Sequence, residues 1–408
     1  MTGSGTCPIH PFDRDGDGVN RPGPELNGEY HRIRDESATG AARVELAGRD
    51  IEAWLVTRYA DVVEVSRNPV FSRSRAVAAG ADPVEGLGDT LLGLDGEDHR
   101  RLREPIKKTF GPRHVATLTD GIRRRTEAQL TLMREQGEPA DLLTAFALPV
   151  AMGTISDILG VPPQERAKFV QWSRPFLGTG HDDPAEAQRA LFSMIGYLGE
   201  MLEQRRERPA DDLLSQIAAA DLPEAREVML PISLIVGGWE TTASSTAAFV
   251  YQLLTRPYEG HETAYAYLAD HPEAVPGAVT ELERMYSNSA ADSMPRYVTR
   301  DIVLPGGARL RKGDIAIPSH DAAGYDRTVF PDPYRMDFAR RFTRQPLTFG
   351  WGPHRCVGRH LGHEEIVIAI DTLVRNVPGL RLAVPAGCIA YKADHAVTGP
   401  TRLPVAWS

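Results

Sequence analysis

The residues best placed to do chemistry stand in one run, Phe349-Gly350-Trp351-Gly352-Pro353-His354-Arg355-Cys356-Val357-Gly358. A lone cysteine in a turn is ordinarily an inert small hydrophobe. Here Gly350, Gly352 and Gly358 surround it, and glycine permits unusual backbone angles and the close approach of a flat partner. A helical pattern runs from Cys356 to Asn376, which sets the sulfur at a helix N-terminus. Free N–H groups and the positive dipole end there favour thiolate over thiol. A buried thiolate held by N–H donors beside Phe349 suits an iron ligand of regulated donor strength. On chemistry alone, metal or haem ligation and a structural turn both fit the run.

The run also matches Phe-x-x-Gly-x-His/Arg-x-Cys-x-Gly, the cysteine-loop signature of haem-thiolate monooxygenases, and by it the chain resembles the cytochrome P450 family. The resemblance implies that family's mostly α (α+β) fold, a large helical body with a small β-rich lobe. It also implies haem b, with Cys356 as axial thiolate and Phe349 and Gly350 beside the cofactor. Further landmarks follow in family order, from Trp54 to Val405. Gly237-Gly238-Trp239-Glu240-Thr241-Thr242 is similar to the oxygen-activating segment. Taken alone it reads as a helix packed closely at two glycines, each costing about 1 kcal/mol. In the family's sense Gly238 faces the cofactor, and Glu240 and Thr241 deliver protons through water as general acids.

Glu281 and Arg284, at i and i+3, make by themselves an ordinary surface ion pair. The resemblance joins them to Arg340 of the stretch Pro333–Arg340, where Met336 replaces the usual Phe; these residues hold the haem loop and do no chemistry. His99 and Arg103 share a helix face. With Arg296 and His354 they match the groups that bind haem propionates, enough donors for two carboxylates. Each alone reads as a solvated surface residue.

Two positions depart from the family pattern. Gly324-Tyr325 stands where Asn-Arg is usual, and Trp239 is bulky for the oxygen segment. Trp239 either enters the substrate space or packs outward on a neighbouring helix. The substrate walls expected from the resemblance are the loop 73–94 with Ala78, the helix around Phe169, Trp172 and Phe176, the segment Val236, Gly237 and Trp239, the region near Met294, and Val397 in the tail. These are small and apolar with a few aromatics, suited to a mid-sized, partly aromatic molecule.

Glu52–Val56, Ala78–Ala81 and Pro378–Pro385 are similar to bacterial members that modify cyclodipeptides, often by coupling aromatic rings. The reading that follows is an O2-dependent oxidoreductase that couples or hydroxylates a specialised metabolite, an aromatic (tryptophan-type) cyclodipeptide in the first instance. Hydroxylation of a polyketide, macrolide or terpenoid is the alternative. A haem sensor without turnover is the third reading, and Glu240-Thr241 argues against it because a sensor needs no proton delivery.

Composition narrows the partners. The 408 residues are 42% hydrophobic and 25% charged, with a net charge of −9, which excludes disordered and collagen-like classes and a nucleic-acid coat. Three cysteines, Cys7, Cys356 and Cys388, make no disulfide framework and fit a reducing compartment. The longest apolar stretch, near Met229–Gly238, falls well short of the roughly 18 residues of a membrane span. A cytoplasmic monomer, with no membrane or nucleic-acid partner, is therefore expected. No GxGxxG or Walker loop is present, so electrons come from outside the chain. Arg100, Arg101, Lys107, Lys108, Arg113, Arg344, Arg355 and Arg359 would dock an acidic ferredoxin, served by its reductase. Asp13–Gly18 imitates a calcium loop, but Arg21, Pro22 and Pro24 break the pattern. His363-Glu364-Glu365 lacks the second histidine of a zinc helix.

The elements that must position these groups follow from periodicity. Residues 1–28 form a Gly/Pro/Asp-rich arm, and 29–408 form one catalytic domain. Strands are expected at 44–46, 53–56, 296–299, 309–310 and 314–318, and the tail 380–405 alternates as a further part of the same β-rich lobe. Helices are expected at 59–67, 115–135, 142–159, 184–208, 225–254 and 356–376. The stretch 73–96, rich in Gly and Ala, reads as a mobile loop.

Overall fold

The computed structural model describes residues 9–10, 25–82, 88–173, 184–286, 294–392 and 397–408. Phe176, Cys7 and the calcium-loop imitation lie outside the described residues. The chain gathers into two compact units, Met1–Asp95 with Glu281–Cys356, and Gly96–Thr280 with Val357–Ser408.

The first unit is built on a six-stranded sheet. Its order is Ile9–His10, Ala41–Leu46, Glu52–Val56, Ile315–Pro318, Arg296–Val298, Phe71–Ser72. Strand Glu52–Val56 pairs antiparallel with Ala41–Leu46 and parallel with Ile315–Pro318, in register Ala53 to Ile315. Ala53, Leu55 and Val56 are buried. Trp54 turns its ring under Arg43 and donates its indole N–H to Asp314 at 2.9 Å. Helix Tyr59–Arg67 adds Val62 and Val65 to a core shared with Val298, Ala316 and Phe330.

Two expectations are corrected. The stretch 73–96 is not all loop. Helix Arg73–Ala78 opens it, because Ser72 caps the turn by accepting from the Arg75 N–H at 3.1 Å. The tail strands do not join the first sheet either. Arg381–Leu382 and Pro404–Ala406 pair with Ala140–Asp141 in a three-stranded sheet of the second unit. Alternation marked these residues as strands but carries no information about their partner.

The second unit is helical. Its main elements are Gly96–Arg103, Pro112–Glu135, Leu148–Leu159, Pro184–Glu207, Glu224–Thr255 and Arg359–Asn376. A π-turn at Leu143–Ala147 precedes the third of these. The 32-residue helix Glu224–Thr255 runs unbroken through Pro231 and Gly237-Gly238. Those three residues together cost about 5 kcal/mol against alanine. Leu230, Ile232, Leu234, Ile235, Phe249, Val250 and Leu253 are buried along the same helix, and at about 1.5–3 kcal/mol for each large side chain their burial exceeds that cost. Among the described residues, no helix is long and apolar enough to cross a membrane.

Candidate active site

The cysteine run forms a tight loop in the first unit. Gly350 has φ +68 and Gly352 φ +72, both in the left-handed region. A Cβ on Gly352 would also sit 2.4 Å from the Ser66 carbonyl oxygen, so glycine is required there twice over. The loop folds back so that the Cys356 N–H donates to the Phe349 carbonyl at 2.8 Å. Helix Arg359–Asn376 starts three residues later than the periodicity suggested, with Gly358 at its cap. The 3-10 turn Gly352–His354 and the Cys356–Phe349 hydrogen bond occupy the backbone that an earlier helix start would need.

A buried ion network stands behind this loop. Arg284 donates to Glu281 from Nε at 2.8 Å and from Nη2 at 2.7 Å. Arg340 Nε lies 3.0 Å from both Glu281 oxygens, and the Asp337 N–H adds a bond at 3.1 Å. The side chains of Glu281 and Arg284 are fully buried, so this is no surface pair. Thr348 at the start of the loop donates its hydroxyl to the Glu283 carbonyl. The Gly324-Tyr325 departure belongs to the same network. Arg284 Nη1 donates to the Gly324 carbonyl at 2.7 Å, and a Cβ at 324 would lie 2.3 Å from the Arg284 carbonyl oxygen. Tyr325 closes the arrangement by donating to the Met285 carbonyl at 2.8 Å.

The first unit also holds Arg296 and His354, together with two groups that motif matching missed, Arg73 and Asp95. Arg73 is buried against Asp82 and donates to the carbonyls of Leu92 at 2.7 Å and Pro295 at 3.1 Å. Burial pushes its guanidinium down to about 9, with repulsion from Arg296 adding to the effect. Arg296 is pushed down to about 10 by burial, with Asp95 opposing. Burial also lowers His354, against a 3.1 Å hydrogen bond to Asp95. Burial would raise Asp95, but His354, the Ser74 N–H and the Ser72 hydroxyl hold it well below the usual carboxylate range. His354 thus spends Nε2 on Asp95. Among the described residues, the hydrogen-bond acceptors of Arg296 are the carbonyls of Met294 at 2.7 Å and Pro295 at 3.4 Å. A buried guanidinium on neutral acceptors suits a carboxylate ligand, so this donor set fits a haem propionate.

In the second unit, His99 and Arg103 lie on helix Gly96–Arg103, and His99 is buried. On helix Glu224–Thr255, a Cβ at Gly238 would meet Ile155 Cγ1 at 3.3 Å, whereas one at Gly237 would meet nothing within 4 Å. The close neighbour expected for the glycine pair is therefore Ile155 at Gly238, and Gly237 is exposed. Thr241 donates its hydroxyl to the Gly237 carbonyl at 2.6 Å. Glu240 is buried and ion-paired to Lys392 at 3.0 Å, a partner that no motif announced. Burial raises the Glu240 carboxyl and Lys392 opposes that rise.

The expected substrate contacts divide. Trp239 takes the outward course: it is buried and donates Nε1–H to the Leu148 carbonyl at 3.1 Å. Phe169 is also wholly buried, edge-on to Trp172 at 5.3 Å and to Tyr197 at 5.2 Å. Phe169 is corrected to a core residue and Trp239 follows the second of its two expected courses, because each has found an intramolecular partner for its ring or indole N–H. Ala78 and Gly237 are exposed, while Trp172, Val236, Met294 and Val397 are half-buried. Of the basic residues, Arg100, Arg101 and Lys107 are already paired with Glu97, Asp221 and Glu104. Arg355 donates to Gln345 at 2.7 Å, with its guanidinium over the Trp351 ring.

The chain is similar to known proteins along most of its length. A family model described as cytochrome P450 matches residues 274–377. The mycinamicin IV hydroxylase/epoxidase of Micromonospora griseorubida is 33% identical over 94% of this chain and 96% of its own length. Nocardicin C N-oxygenase of Nocardia uniformis subsp. tsuyamanensis is 36% identical, over 94% of this chain and 96% of that protein. Among solved structures, a mutant of the mixed-function P450 MycG in complex with mycinamicin V superposes with a TM-score of 0.89. It is 33% identical and covers 98% of this chain and 100% of that one.

Proposed function

Because this chain belongs to the cytochrome P450 family, whose members are haem-dependent oxidoreductases with an axial cysteine thiolate, we propose that it is a monooxygenase-class enzyme of specialised metabolism that takes O2 and external electrons. The tight loop, shaped by left-handed Gly350 and Gly352, that folds Cys356 N–H onto the Phe349 carbonyl is the observation that carries this reading. When bound, haem supplies O2 activation and the oxidation of substrate. The protein's own part is positioning and proton handling. Cys356 would ligate the iron, held in its loop by its own N–H bond to the Phe349 carbonyl. On the resemblance, Arg296, His99, Arg103 and His354 would serve the propionates; Asp95 holds the His354 ring and Arg73 holds the Pro295 carbonyl next to Arg296. Glu281, Arg284 and Arg340 keep the loop in place.

Glu240 and Thr241 manage protons. The Thr241 hydroxyl is oriented by its bond to Gly237, and Glu240 is a buried carboxylate within the same turn. Electrons arrive from an acidic ferredoxin and its reductase, guided by Lys108, Arg113, Arg344 and Arg359, which are not among the neutralised basic groups. The substrate is a specialised metabolite, and an aromatic cyclodipeptide is the first candidate on the sequence likenesses at Glu52–Val56, Ala78–Ala81 and Pro378–Pro385. A second reading, a macrolide-type substrate, is favoured by the likeness to proteins named for acting on or binding mycinamicins.

The test is mass spectrometry of purified holoenzyme with ferredoxin, reductase and two substrate panels, tryptophan-containing cyclodipeptides and mycinamicin-type macrolides. A product two hydrogens lighter or one oxygen heavier in the first panel supports the cyclodipeptide reading. Products confined to the second panel replace it with the macrolide reading. With the substrate so found, Thr241→Ala should lower product per electron pair by about tenfold or more, electrons being diverted to hydrogen peroxide. Coupling equal to wild type would remove Thr241 from proton delivery.

A further inference from the structure

The ion pair between Lys392 and Glu240 joins two parts of the second unit that are far apart in sequence. Lys392 Nζ donates to Glu240 Oε1 at 3.0 Å and to the Ser244 hydroxyl at 2.8 Å. Glu240 and Ser244 are one helical turn apart, so a single ammonium spans the turn. The two charged side chains are only 10% and 8% exposed, which sets this pair apart from the surface salt bridges of the molecule.

Residues 390–392, which bring Lys392 here, pair with residues 399–401. Tyr391 bridges to Pro400, the Lys392 N–H donates to the Gly399 carbonyl at 2.9 Å, and the Thr401 N–H donates to Ala390 at 2.8 Å. Gly399, at φ +144, comes so near the long helix that a Cβ there would sit 3.2 Å from Ser244 Cβ. The Tyr391 ring meets the Tyr251 ring edge-on at 5.8 Å, a further contact with that helix. Val397 lies two residues before the close approach at Gly399.

We propose that Lys392 is a positioning residue which latches the described tail residues 389–392 and 397–401 to Glu240 and Ser244, so that one ion pair fixes both the aim of the Glu240 carboxylate and the placement of Val397. The consequence for proton delivery rests on the reading of Glu240 given above; the latch itself does not. A carboxylate buried to this degree needs a compensating charge or it takes up a proton. Lys392 supplies that charge, and in return the tail gains a charge-assisted anchor. Whatever displaces the tail segment thereby loosens Glu240, and the converse also holds.

Hydrogen–deuterium exchange of the full-length, haem-loaded protein tests the latch directly. Lys392→Met should raise exchange at 389–392 and 397–401 by about tenfold or more, as loss of a charge-assisted buried bond implies. Lys392→Arg should restore much of the protection. The double variant Lys392→Met/Glu240→Gln should exchange no faster than Lys392→Met alone, because the two residues act through one interaction. Unchanged exchange in Lys392→Met, or strict additivity in the double variant, overturns the latch. Glu240→Gln with full coupling of electrons to product would overturn the proton role of Glu240, whatever the exchange data say of the tail.

Discussion

Replacing Cys356 with serine should abolish the Soret band near roughly 450 nm of the reduced CO complex, together with all turnover. A serine hydroxyl holds its proton far above the range of a thiol, so it offers iron a weak neutral oxygen where the thiolate offers a charged sulfur. The loop should survive the exchange. Its closing bond runs from the backbone N–H of residue 356 to the Phe349 carbonyl, and its shape depends on Gly350 and Gly352 rather than on the sulfur. Loss of the band with unchanged circular dichroism thus isolates ligation from folding. A variant that kept the wild-type band would place the axial ligand on another residue, and the functional reading would fall with it.

The parts of the site that could be read from sequence are those fixed by short-range geometry. The glycines around Cys356 announce a tight loop, and the i,i+3 spacing of Glu281 and Arg284 puts both on one helix face. What lay beyond reach was the partner of each group. Nothing in Glu281-x-x-Arg284 tells that the pair is buried; that follows from Arg340 and the Gly324 carbonyl arriving from elsewhere. Lys392 is one of five lysines, and nothing around it in sequence marks it until the tail folds onto the long helix. Arg73 was hidden inside a stretch whose Gly and Ala content resembles a loop, although Ser72 at its head is a recognisable cap. Aromatic residues such as Trp239 and Phe169 suit a binding wall and a core equally well; the hydrogen bond to Leu148 and the ring contact with Tyr197 decide for the core. The tail strands show the same division. Their extended conformation is local, but their pairing with Ala140–Asp141 is a long-range event.

The buried network yields the second large effect. Glu281→Ala removes the one carboxylate between Arg284 and Arg340, whose side chains are 0% and 8% exposed. Two guanidiniums would then share a site with no anion that the network supplies. Breaking a buried pair in this way typically costs about 3–5 kcal/mol, far above the few tenths of an exposed i,i+3 pair. Arg284 would keep the Gly324 carbonyl and Arg340 would keep those of Pro331 and Arg335, so both have backbone acceptors but no counter-charge. Chemical denaturation should therefore show a stability loss of several kcal/mol, accompanied by weaker haem retention because Thr348 ties the cysteine loop to Glu283 on the same helix. Glu281→Gln separates charge from shape: it keeps an acceptor for Arg284 while removing the anion, and should recover only a minor part of the loss. A change below about 1 kcal/mol in Glu281→Ala would mean that the three side chains behave as a surface pair, and the Cys356 loop would then need another support.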